Sequence, residues 1–200
     1  MLGAGQTGVF MSIVNWIVLG AVVLLLLAVV GMYNRLVRLR ALAKEAFSGI
    51  TVQLRRRADL IPNLVETVQG YATHERGVFE EVSRARAATV SAGSVEATAQ
   101  ADAQMTGLLG RLMAVAEAYP DLKANQNFLQ LQDQLAGIEG ELQGSRRYYN
   151  ATVRDLNSTI QSFPSVLLAR PMGFAEEPFY QDEDQSIQSA PKVSFARPAA

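Results

Sequence analysis

The stretch RRRADLIPNLVETVQGYATHE, residues 55–75, decides how the chain folds. Three arginines run into an apolar helical pattern that carries Pro62. A proline inside a helix costs about 3 kcal/mol, because it gives no N–H and crowds the carbonyl four residues back. Either a helix continues through Pro62 with a kink, or one helix ends near Asp59 and another begins.

The apolar positions pass through Pro62 in phase: Leu54, Ala58, Ile61, Leu64, Val65 and Val68. Phase favours one helix, whereas length favours two. A helix over 34–88 would rise about 80 Å, but the helix that follows would return only about 36 Å. A turn near Asp59 gives segments of comparable length that pack up and down. Local chemistry agrees with the turn. Arg55, Arg56 and Arg57 would lie at a helix C-terminus, where cations are favoured. Asp59 would cap the next helix, and Pro62 would fall in its first turn. The expected fold is therefore all-α: one N-terminal transmembrane helix, then an antiparallel up-and-down four-helix bundle. The alternative is three long helices with a kink at Pro62.

The membrane helix is read from VFMSIVNWIVLGAVVLLLLAVVGM, residues 9–32. Its 24 residues make about 36 Å of helix, enough for a hydrocarbon core of about 30 Å. A cleaved signal peptide would show a basic start and a shorter apolar run. No charged side chain precedes Arg35, whereas Arg35, Arg38, Arg40 and Lys44 follow the run. The positive-inside rule then puts the N-terminus outside and the bulk of the chain in the cytoplasm. Arg35, Arg38 and Arg40 are candidates for lipid head-group contact.

Further helices follow. TVSAGS, residues 89–94, reads as a loop, and Met105, Leu108, Leu109, Leu112 and Ala116 mark the next helix. Asn125 is placed to cap the last helix. Phe128, Leu131, Leu135, Ile138, Leu142, Tyr149, Leu156, Ile160 and Phe163 form its heptad seam, of coiled-coil type, up to Pro164. SVLLARPMGF is apolar, and the residues from Ala175 read as a disordered tail. The expected divisions are 1–8, a short N-terminal segment; 9–33, the transmembrane helix; 34–164, the bundle; and 165–200, an extended, partly disordered tail.

YNRLVRLRALAKEAFSGITVQLRRRADLIPNLVETVQGYATHE, YPDLKANQNFLQLQDQL and YYNATVRDLNSTIQSFP closely resemble the bacterial LemA family. Phe47 stands where that family often has Trp. The resemblance implies a single-pass inner-membrane protein with a cytoplasmic four-helix bundle and no established reaction. One relative is associated with forming magnetosome vesicles. Relatives encoded near membrane proteases make such a protease a candidate partner.

Composition narrows the function. The chain has no cysteine, one histidine and a net charge of −1. Thiol catalysis, Cys-ligated metals and a His-rich metal site are excluded within one chain, and no cofactor is expected. Nothing suggests a nucleic-acid partner, which calls for a basic face. His74 and Glu75 are adjacent, so on a helix they diverge by about 100° and do not converge on an ion. Arg55, Arg56, Asp59, Asn63, Glu66 and His74 form a candidate interaction face. Gly137, Gly140 and Gly144 share a face suited to close packing or self-association. Asn150-Ala151-Thr152 and Asn157-Ser158-Thr159 match a glycosylation sequon on the cytoplasmic side, where it has no use. The expected role is a non-catalytic membrane adaptor or scaffold acting on the bilayer, an unidentified membrane protein or a second copy. The alternatives are a membrane-remodelling or vesicle-organising protein and a metal-dependent regulator or enzyme centred on His74.

Overall fold

Helix α1 runs unbroken over Ala4–Gln69, Pro62 included. The turn expected near Asp59 is absent, and the continuous helix of the alternative is what forms. The reason lies outside α1. Pro62 leaves the carbonyl of Ala58 without its usual intrahelical donor, and Ala58 is 1% exposed. The guanidinium of Arg86 donates from Nε to that carbonyl at 2.8 Å. A distant side chain thus fills the place of the missing N–H.

The computed structural model describes residues 4–72 and 74–180, with side chains from residue 14 onward. After α1 come α2 (Arg76–Ser91), α3 (Val95–Glu117), the short α4 (Pro120–Lys123), α5 (Gln126–Gln161) and the short α6 (Ser165–Leu168). The fold is all-α, with no strand among the described residues. The first chain reversal begins at Gly70, between the end of α1 and the start of α2, where the sequence pattern suggests continuous helix. Ser94 caps α3 by accepting from the N–H of Ala97 at 3.1 Å. Asn125 caps α5 as expected, its Oδ1 accepting from Asn127 and Phe128.

The chain divides into two compact units. One takes residues up to Ala46 together with Ala151–Glu177; the other takes Phe47–Asn150 and the residues from Pro178. The second unit packs four helical segments, from α1, α2, α3 and α5. Its core joins Ile61, Leu64 and Val68 to Phe79 and Val82, to Met105 and Leu112, and to Phe128. Its α1 and α5 segments are antiparallel: Phe47 meets Tyr149 with ring centroids 5.8 Å apart, and Arg56 meets Glu141 at 2.7 Å.

The first unit buries Leu36, Ala43 and Ala46 of α1 with Val153, Leu156 and Ile160 of α5. Phe174 and Ala169 are also buried there. The seam read from sequence holds to Ile160 and fails at Phe163, which is 81% exposed. Upstream of this core the helix is apolar and open. From Val14 it is long and apolar enough to cross a membrane, and its most apolar window has no residue buried.

Replacing Asn125 by Ala removes an acceptor shared by two N–H groups at the start of α5. The expected loss is about 1 kcal/mol of stability, read from the denaturation midpoint of the full-length protein in detergent.

Candidate functional site

Two features of the second unit are candidates: a buried cluster of charges and a pair of adjoining surface grooves. The cluster is built around Asp102 on α3, which is 1% exposed. Its Oδ1 accepts from Arg57 of α1 at 3.2 Å. Its Oδ2 accepts from Arg146 of α5 and from the phenol of Tyr180 at 2.6 Å. Glu139 adds a second carboxylate, with Oε2 3.3 Å from Arg57. Arg57 also donates to Thr106 at 3.1 Å. Two cations thus face two anions, and the deeply buried Asp102 and Arg57 are tolerated there because they pair and hydrogen-bond. Both oxygens of Asp102 are engaged, so Asp102 joins helices α1, α3 and α5.

A turn near Asp59 would have left Arg57 at a helix end with Arg55 and Arg56. Arg57 instead lies inside α1 and is buried. Tyr180 belongs to the stretch whose composition predicts a disordered tail, yet it is buried, 4% exposed. Residues 175–180 are held as an extended strap. Asn150 does the holding in the second unit. Its amide accepts from the N–H of Tyr180 at 2.8 Å and donates to the Tyr180 carbonyl at 3.0 Å. The phenol of Tyr149 donates to the carbonyl of Pro178 at 2.8 Å. In the first unit, Asn157 makes the same two-way clamp on Glu177, at 2.9 and 2.8 Å. The sequon-like asparagines are backbone clamps. Residues 181–200 of the expected tail lie outside the described residues.

The grooves gather side chains that the sequence had assigned to two separate faces. One, about 520 Å³, is lined by Asn63, Glu66 and Thr67 of α1 and by Asn127, Gln130 and Gln134 of α5. The other, about 340 Å³, holds Arg56 and Asp59 of α1 with Gly137, Ile138 and Glu141 of α5. Leu60 and Gln134 line both, so the grooves adjoin. The lining is rich in amides, which both donate and accept. The salt bridge of Arg56 with Glu141 is more than half exposed and contributes little stability.

The remaining candidates fall elsewhere. Arg55 lines a smaller cavity with Val52 and Thr89. His74 lies exposed in the turn between α1 and α2. Among the described residues no group of three or more His, Asp or Glu could hold a metal. Gly140 and Gly144 line neither groove, and a Cβ added at Gly137, Gly140 or Gly144 would meet nothing within 4 Å. Close helix approach within the chain is therefore not what these glycines serve. In the first unit Arg35 and Arg38 are exposed. Arg40 is engaged within the protein: it donates to the carbonyl of Gly173 at 2.6 Å and lies 4.2 Å from the ring centre of Phe174.

An all-helical chain with one N-terminal helix able to cross a membrane defines the class: a membrane-associated helical protein. The family model of the LemA family matches residues 46–195, and the chain belongs to that family. It is similar to magnetosome protein MamQ of Magnetospirillum gryphiswaldense, 25% identical over 177 residues. It is also similar to magnetosome protein MamQ 2 of Paramagnetospirillum magneticum, 26% identical over 177 residues. Each of these two matches covers 76% of this chain but 65% of the relative's own length, just under two thirds. Protein LemA of Metamycoplasma hominis is 26% identical over 154 residues, covering 76% of this chain and 70% of that protein.

Burial and then the charge of Asp102 push the Tyr180 phenol well above its ordinary value of 10.0. The stability this holds is fully present below about pH 10 and is lost as the pH rises toward the raised value, because the unfolded chain ionises first. Tyr180→Phe removes a hydrogen bond to a charged group, at a cost of about 2 kcal/mol. Alkaline difference spectra of the variant against wild type should show one missing tyrosine that ionises above the ordinary range. A missing tyrosine with an ordinary titration would contradict the Asp102 contact.

Proposed function

We propose that this LemA-family protein is a non-catalytic, membrane-anchored adaptor or scaffold that binds a protein partner in the adjoining grooves between α1 and α5. The apolar helix anchors it in the inner membrane, with the N-terminus outside and the helices after it in the cytoplasm. The charge bias around that helix supports this orientation: no charged residue before Arg35, and four cations by Lys44. Confinement at the bilayer raises the effective concentration of other membrane proteins.

One observation carries the reading. The polar stripe of α1 and the face of Gly137 on α5, distinguished separately in the sequence, line adjoining grooves of one unit. Gly137 keeps the floor of its groove low, since nothing occupies the space a Cβ would fill. Amides and two apolar residues, Leu60 and Leu131, suit a polypeptide that presents both backbone and side chains. A membrane protein is the partner this reading favours, a membrane protease among the candidates.

Photo-crosslinking amino acids at Asn63 and Gln134 of the full-length protein, in its native membrane, should give discrete heterologous adducts. The same probe at Tyr148, which is exposed but lines neither groove, should not. Glu66→Arg should reduce the adducts several-fold while leaving membrane insertion intact. Equal labelling from all three positions would contradict a groove-specific partner.

A further inference from the structure

The first unit leaves Phe163 81% exposed, Leu167 64% and Val166 46%. They lie where α5 ends and the four-residue α6 follows, while Ser165 and Ala169 between and after them are buried. The turn is therefore docked on one side and presents an apolar edge on the other. This edge is placed near the end of the membrane-spanning segment by contacts within the same unit. Tyr33 directly follows the apolar run and meets Phe174 edge-on, with ring centroids 5.6 Å apart. Going along α5, Asn157 pairs with Glu177, and Ile160 then lines a cavity with Gly173 and Phe174. The helix thus advances toward the level of Tyr33, and Phe163 lies almost one turn beyond Ile160.

Charge selects the partner. Residues 33–44 carry Arg35, Arg38, Arg40 and Lys44 with no acid, and residues 156–175 carry Arg170 with no acid. Arg35, Arg38 and Arg170 are exposed. Glu176 lines the cavity that Arg170 shares with Ile160, but Arg35, Arg38 and Arg170 outnumber it, and an apolar edge with exposed arginines beside the end of a membrane helix has the chemistry of an interfacial anchor for anionic lipid.

We propose that Phe163, Val166 and Leu167 form a second membrane contact, a foot that inserts into the interfacial layer of an anionic phospholipid bilayer beside the spanning helix. Arg35, Arg38 and Arg170 meet the head groups. Arg40 does not: it holds Gly173 and Phe174, and so fixes the segment that leads out of the foot. The foot rests on the reading that the N-terminal helix spans a membrane. Two contacts would limit the tilt of the unit at the bilayer, which one helix alone does not.

The test uses the full-length chain, whose single tryptophan is Trp16 in the apolar helix. Wild type reports the anchor, and Trp16→Phe combined with Phe163→Trp reports the foot. Both are reconstituted into phosphatidylcholine–phosphatidylglycerol vesicles, with or without lipid brominated near the head-group end of its chains. Both reporters should lose emission in brominated lipid. The foot reporter should lose less when phosphatidylglycerol is omitted, and should escape quenching when Leu167→Asp is added. A quenched Trp16 with an unquenched foot reporter would overturn the foot and leave the anchor standing. A foot reporter with short-wavelength emission but no quenching would also overturn it, in favour of a protein contact. If neither reporter is quenched, the spanning helix itself fails and the foot with it.

Discussion

The carbonyl of Ala58 has no donor within its own helix, because Pro62 has no N–H to give it. Arg86, 28 residues further along, donates instead. Much of the second unit depends on that substitution. It lets α1 carry its apolar stripe from Leu54 to Val68 without reversing. A reversal at Asp59 would have put Arg57 at a solvated helix end. With the helix intact, Arg57 faces Asp102 and Glu139, and Asn63 and Glu66 continue the face that begins with Arg56 and Asp59. The same contact ties α2 to α1, so the proline adds a tertiary bond where it removes a local one.

Side chains that substitute for backbone partners recur through the molecule. Asn150 and Asn157, seven residues apart on α5, each present one donor and one acceptor to a strap residue. That geometry matches the backbone of an extended peptide and needs no particular strap side chain. Specificity enters at Tyr180, whose phenol reaches the buried Asp102. The strap therefore completes the charge cluster. Residues 175–180, AEEPFY, belong to the stretch that reads as a tail, yet hydrogen bonds and one buried ring fix them.

Several elements were legible from sequence because they rest on local rules. The apolar run before Arg35, the cap at Asn125, the loop before Val95 and the α5 seam to Ile160 follow from periodicity and capping chemistry. Pro62 was misread because the local rule is correct and incomplete: the residue that offsets it, Arg86, is distant in the chain. The reversal that begins at Gly70 leaves no local signal, because Val68, Ala72 and Phe79 stay in phase across it. The groove residues were visible as two unrelated patterns, on α1 and on α5, and only tertiary packing makes them adjoin. Asp102 carried no signal, a lone acid on a helix being ordinarily solvated. The one hint of the strap was the pair of asparagines at heptad spacing, whose sequon-like context pointed elsewhere.

The most direct test is a double-mutant cycle on Pro62 and Arg86, measured by chemical unfolding of the full-length protein in detergent. With Pro62 present, Arg86→Met leaves the Ala58 carbonyl buried and unbonded, and should cost about 1–3 kcal/mol. In the Pro62→Ala background the restored N–H bonds that carbonyl, so the same change at Arg86 should cost much less, and the two sites should be coupled. Equal costs in both backgrounds would mean that Arg86 does not serve the carbonyl that Pro62 vacates, and that α1 is continuous for another reason.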